Sequence, residues 1–118
     1  MLRTMLRSKL HTARVTEANL EYMGSLTVDR DLMDAVGMVP NEQVLVANLA
    51  NGKRFTTYLF EGERGSGVMC VNGAAAHLAK EGDRIIVMTF AQLSEAEVES
   101  HGPRVAILNE DNQIDRML

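Results

Sequence analysis

Val44-Leu45-Val46-Ala47-Asn48-Leu49-Ala50-Asn51-Gly52-Lys53-Arg54-Phe55-Thr56-Thr57-Tyr58-Leu59-Phe60 is the stretch that decides the fold. Two runs rich in β-branched and aromatic residues, Val44–Leu49 and Arg54–Phe60, flank Ala50-Asn51-Gly52-Lys53. Asn and Gly tolerate the left-handed backbone that a tight reversal needs, so Asn-Gly between two such runs predicts a β-hairpin. Side chains alternate faces along a strand. Arg54, Thr56 and Tyr58 therefore share one face of the second run, and Thr57 takes the other.

Outward from the hairpin the pattern stays β-rich. Residues 2–16 predict a long strand, with Arg7, Lys9 and His11 on one side. Val68–Val71, Arg84–Phe90 with its Ile85-Ile86-Val87 core, and Arg104–Leu108 are further strands. Glu61–Gly67 is a loop, and Gly82-Asp83 a turn. Asp29 or Asp31 can cap a short helix that ends at Gly37. Asn72 can cap a helical turn over Gly73–Leu78, and Ser94 with Glu97 matches a capping box for a turn over Ser94–Ser100. About six strands and two or three short helices predict a mainly β fold, a small closed barrel.

Composition narrows the class. A chain of 118 residues fits one domain, 1–118, with no repeat or linker. It is 46% hydrophobic without Trp, so aliphatics, Ala and Met must fill the core. A net charge of −4 argues against nucleic acid as a partner, which calls for a concentrated basic surface. No apolar run nears the roughly 18 residues of a membrane helix. The basic N-terminus lacks the apolar segment of a signal peptide. A lone Cys70 can form no intrachain disulfide, which fits a reducing cytoplasm. One Cys and three scattered His give no metal-ligand spacing, and Cys70, His77 and His101 read as structural.

Three groups could carry chemistry. Arg7, Lys9 and His11 on one strand face could hold a small polyanion; a solvated basic face has the same pattern. The planar fork of Arg54 suits a carboxylate, and Tyr58 could donate a proton, or its ring could simply pack with the hydroxyl at the rim. At Gly24-Ser25 a hydroxyl could attack the preceding carbonyl and turn amide into ester, with glycine leaving that carbonyl uncrowded. A second such pair stands at Gly65-Ser66, so the dipeptide alone proves nothing.

Three strings occur in one order and register. They are Met1 through His11 followed by Tyr22-Met23-Gly24-Ser25; Asn51 through Tyr58; and Gly62-Glu63-Arg64-Gly65-Ser66-Gly67 through Asn72-Gly73-Ala74-Ala75-Ala76-His77. Together they resemble the bacterial pyruvoyl-dependent aspartate 1-decarboxylase family over nearly the whole chain. The resemblance implies a six-stranded double-psi β-barrel, a homotetramer with active sites between subunits, and a cytoplasmic enzyme making β-alanine from L-aspartate for pantothenate synthesis. It implies self-cleavage between Gly24 and Ser25 into chains 1–24 and 25–118, with Ser25 converted to the covalent pyruvoyl cofactor. Thr57 would stabilise the oxyanion of that shift and Tyr58 would be the proton donor. Arg54, Lys9 and His11 would bind substrate, and Asn72 with Gly73, Ala74 and Ala75 would hold the pyruvoyl group. Some relatives need a maturation factor, which leaves that partner open here. Gly65-Ser66 would be a loop that stays uncut. Ala47 stands where some relatives carry a large aromatic residue. Two alternatives stand beside this: an uncleaved precursor of the same family that forms no pyruvoyl, and a non-catalytic barrel binding an anion or a partner protein, which could share the cations but has no need of scission at Ser25.

Overall fold

The Asn51-Gly52 reversal builds the hairpin that its sequence predicts. In the computed structural model, which describes all 118 residues, β4 (Gln43–Asn48) and β5 (Arg54–Gly62) pair antiparallel, from Gln43 opposite Tyr58 to Ala47 opposite Arg54. Gly52 takes the left-handed conformation, φ 73°. The loop is longer than a two-residue turn: the Lys53 carbonyl accepts from the Asn48 N–H at 2.8 Å, and Asn51 Oδ1 accepts from the Lys53 N–H at 2.9 Å.

Seven more strands surround this hairpin. They are β1 (Leu2–Arg14), β2 (Glu17–Asn19), β3 (Ser25–Asp29), β6 (Met69–Asn72), β7 (Arg84–Ser94), β8 (Arg104–Leu108) and β9 (Ile114–Met117). Their order is β2-β6-β3-β5-β4-β7-β1-β8-β9. Pairs β1/β8, β2/β6 and β3/β5 are parallel. The fold is mainly β, as expected, but the strands number nine rather than six, and no ladder closes the row. The short β2, β3 and β9 are the additions; β2 and β3 are held by partners distant in sequence, and β9 by a hairpin with β8. The chain itself bends the row back: Arg14 ends β1, and Glu17 soon opens β2 at the opposite end. The Thr16 N–H donates to the Met69 carbonyl at 2.9 Å across that junction.

The two helices form where their caps are. Asp29 caps α1 (Arg30–Val36) through the Asp31 N–H, and Gly37, φ 76°, ends it. Ser94 and Glu97 form the reciprocal capping box of α2 (Glu95–Ser100). Gly73–His77 is a single 3-10 turn. Here the expectation fails in detail, because the Asn72 side chain makes no cap hydrogen bond; it is turned elsewhere.

Alternation on β1 is broken twice. Register slips against β7 fall between Leu6 and Ser8 and between His11 and Ala13. Extra residues of this kind re-aim the side chains that follow, so Leu10 and Ala13 both reach the core. The core joins Leu10, Leu26, Val28, Met33, Val46, Leu59, Met69, Val71, Ile85 and Val87, all fully buried. Each aliphatic or Met side chain buried this way contributes about 1.5–3 kcal/mol. No helix is long and apolar enough to cross a membrane.

Candidate active site

Ser25 opens β3, and the chain bends at the residue before it. Its side chain is buried. On one flank Ser25 pairs with Asn72 of β6. The Asn72 amide donates to Ser25 Oγ at 3.2 Å and to Thr27 Oγ1 at 3.1 Å. That use explains why Asn72 does not cap the turn beyond it. Gly73 follows with φ 70°, and a Cβ there would stand 2.6 Å from Gly24 Cα and 2.8 Å from Gly24 N. The backbone of the turn is thus pressed against the Gly24 segment. Ala74 is exposed and Ala75 packs half-buried against the core.

On the other flank lies β5. Leu26 is level with Leu59 in parallel register. One step back sets Ser25 level with Tyr58, and Thr57 beside the point where the chain enters β3. The β4/β5 register runs without a slip from Tyr58 to Arg54, so Thr57 and Tyr58 do occupy opposite faces. They flank the strand entrance from two sides: Tyr58 with Ser25 on the outer face, and Thr57 on the inner row opposite buried Val44.

The cations fall on the outer face as well. Pairing aligns His11, Ile86, Ala47 and Arg54 across four strands, and Lys9, Met88, Leu45 and Thr56 in the next row. Lys9 and His11 are three strands from β5, roughly 14 Å along the sheet at ~4.8 Å per strand. Within one chain the structure does not bring them to Ser25. Arg7 leaves the expected trio. It lies at the first register slip and donates to Glu42 Oε2 at 2.9 Å and the Gly37 carbonyl at 2.8 Å, closing the end of α1. His11 is partly buried, and its buried Nδ1 has no hydrogen-bond partner. Burial first, then the charges of Lys9 and Arg84, hold its pKa below the usual histidine value.

The other Gly-Ser pair is built differently. Ser66 is exposed, donates to the Glu63 carbonyl at 2.6 Å and accepts from the Val68 N–H at 3.2 Å, so its hydroxyl is tied into its own loop. His101 Nε2 sits 2.7 Å from the Leu6 carbonyl, and His77 is exposed. No three His, Cys, Asp or Glu side chains gather as a metal site.

Comparison with known proteins meets this geometry. The aspartate decarboxylase family model matches residues 1–115. The chain belongs to that family. It is 56% identical over 118 residues, all of this chain and 93% of the relative, to the aspartate 1-decarboxylase of Bacillus subtilis. It is 54% identical, with the same coverage, to the aspartate 1-decarboxylase of Staphylococcus aureus.

Two neighbours of Asn72 and Ser25 escaped the sequence. Thr27, two residues after Ser25, shares its face and its amide donor; the spacing held that signal once β3 was known. Cys70 lies against Asn72, a juxtaposition that local spacing along one strand suggests and only the fold assigns.

Proposed function

We propose that this chain decarboxylates L-aspartate to β-alanine and carbon dioxide, serving pantothenate and coenzyme A synthesis, with a pyruvoyl group made from Ser25. One observation carries the reading: the seat of Ser25. Its hydroxyl is buried beneath the Asn72 amide, and Gly73 crowds the preceding residue so closely that no side chain fits there. A glycine turn and an amide donor lie against Ser25, groups whose polarity suits a small keto group. Family membership and relatives above half identity support the same activity.

In the intact chain Ser25 Oγ attacks the Gly24 carbonyl carbon. The Gly24–Ser25 amide breaks, the hydroxyl proton ends on the freed amine, and an ester remains. Loss of the Ser25 α-proton expels the Gly24 carboxylate and leaves dehydroalanine. Water then converts it to pyruvoyl and ammonia. The Asn72 donor favours negative charge on Oγ as its proton leaves. Thr57, at the strand entrance, donates to the oxyanion of the attacked carbonyl.

The pyruvoyl group supplies an electron sink for the carbanion that forms as the α-carboxylate departs. Arg54 takes a substrate carboxylate with its fork, and Tyr58 holds a proton on the Ser25 face for return to carbon. Asn72 and the backbone of Gly73, Ala74 and Ala75 hold the group in place. Lys9 and His11 come from a neighbouring copy. One aspartate is too short to bridge Lys9 and Ser25 of one chain, and His11 Nδ1 has no partner within it. Phe60 and Phe90 lie exposed on that outer face, as assembly into a homotetramer requires. The central six strands, β3-β5-β4-β7-β1-β8, hold two parallel pairs, and α1 touches β1, β3, β5 and β8. That supports a double-psi β-barrel. A buried, unpaired thiol fits the cytoplasm.

Intact-mass spectrometry tests the reading. Chains 1–24 and 25–118 are expected, the larger bearing pyruvoyl in place of serine, with no cut at Gly65–Ser66. Ser25→Ala gives one uncut chain and no β-alanine. β-Alanine formation by that variant overturns the mechanism. A parent chain still uncut after prolonged warming, with or without a maturation factor, points instead to a barrel that only binds.

A further inference from the structure

The Asn72 amide faces two hydroxyls with its nitrogen and a thiol with its oxygen. Cys70 Sγ lies 3.1 Å from Asn72 Oδ1, on the same sheet face and two residues away. Cys70, Asn72 and Ser25 are all buried, so water does not compensate a wrongly turned amide. Across the pair with β2, Glu17 Oε2 stands 3.7 Å from the same sulfur.

An asparagine amide has two orientations of nearly equal shape and opposite polarity. With nitrogen toward Ser25 it donates to Oγ and steadies developing charge there. With oxygen toward Ser25 it accepts the hydroxyl proton and opposes that charge. Something must select the first. Thr27 and Ser25 hydroxyls can each donate or accept, so neither selects. The thiol biases the choice, because sulfur is a poor acceptor for an amide N–H while its S–H donates to Oδ1 and leaves the nitrogen for Ser25. We infer that Cys70 is a positioning residue for self-processing: its S–H fixes the Asn72 amide with the donor toward Ser25. This rests on the reading that Ser25 is the processed residue.

The thiol is kept protonated. Burial, with the Glu17 charge alongside, pushes its pKa up to about 11. Glu17 also competes weakly for the S–H, and the shorter contact to Asn72 wins.

The test follows the rate at which freshly purified full-length chain converts to fragments 1–24 and 25–118, by intact-mass spectrometry, with thermal denaturation of each variant alongside. Cys70→Ser keeps a donor; Cys70→Ala has almost the size of Ser and none; Cys70→Val fills the site, slightly larger than Cys, without a donor. Processing in the Ala and Val variants is expected to slow about 10-fold, with Ser between them and the parent, since its hydroxyl donates to Oδ1 but also accepts. A packing role alone moves Ala and Ser equally, so equal rates for those two overturn the proposal. Equal rates for Val and parent overturn it too, and Val serves if Ala does not fold. Failure of the parent itself to cut at Gly24–Ser25 takes down the underlying reading and this one together; a parent that cuts, with Ala equal to Ser, takes down this one alone.

Discussion

A Cβ at Gly73 would stand 2.6 Å from the Cα of Gly24, with φ at Gly73 already at 70°. Both facts exclude a side chain at this point. Gly73→Ala would force the turn away from the strand entrance or the entrance away from the turn, besides the ~1–3 kcal/mol that a left-handed non-glycine residue costs. The expected result is a chain that folds with a lowered melting temperature and processes at least about 10-fold more slowly. Fragment masses followed over time check it. Parent-like processing would mean that the Gly24 segment is not held where the structure has it.

Tyr58 shares the Ser25 face and is partly exposed, while Thr57 lies inward on the next row. The two substitutions should therefore separate. Tyr58→Phe is expected to process normally and to lose roughly 100-fold or more in kcat, the usual loss when a positioned proton donor is removed. Thr57→Val should instead impair the appearance of fragments. Fragment yield and β-alanine production measured on the same samples decide this; full activity of Tyr58→Phe removes it as donor.

His11 carries a pH signature. Its folded pKa lies below the usual value, through burial and then Lys9 and Arg84. The unfolded chain thus takes up the proton first as pH falls. Stability from neutral His11 is complete above the unfolded pKa of ~6.5 and declines as pH drops below it. Melting temperature should fall between pH 7.5 and 5.5 by more in the parent than in His11→Gln. Because His11 is only partly buried, the difference is small, about a few degrees at most. Parallel curves would show that His11 gains its proton in the fold as readily as in the unfolded chain.

How far the sequence carried is clearest at particular residues. The Asn51-Gly52 hairpin, the Asp29 and Gly37 caps, the Ser94–Glu97 box and the shared face of Arg54 and Tyr58 were all legible, because each depends on neighbours within a few positions. Arg7 was not. Its place on the face of Lys9 and His11 was spoiled by a register slip, and its partners, Glu42 and Gly37, lie about thirty residues on. Asn72 was misread as a cap because the local pattern was right and the partner that outbids the turn, Ser25, comes from a strand 47 residues earlier. The nine-strand row escaped in part for the same reason: β2 and β3 are three and five residues long and pair with distant β6, while β9, four residues long, carries too little pattern of its own to be told from a loop. Family resemblance named Gly24, Ser25, Thr57, Tyr58 and Asn72; the β3/β5 and β3/β6 registers bring their backbone positions side by side, a proximity that no local pattern encodes.

Asp29 tests what holds that strand in place. It ends β3, and its buried carboxylate accepts three backbone N–H groups: Asp31 at 2.9 Å, Gly65 at 3.1 Å and Gly67 at 2.9 Å. One side chain thus caps α1 and anchors the Gly65-Ser66 loop against the strand that begins at Ser25. Asp29→Ala removes a helix cap and leaves two further donors without a protein acceptor, an expected loss of about 2–4 kcal/mol. Asp29→Asn keeps one acceptor oxygen, enough for the cap, and turns a donor toward the loop, so it should fall between Ala and the parent. Equilibrium urea unfolding of all three, with unchanged slopes, measures the order. Since Asp29 and Ser25 are four residues apart on one short strand, loss of the anchor should also slow processing, more for Ala than for Asn. An Asp29→Ala chain as stable as the parent would show that the loop and helix hold β3 without it.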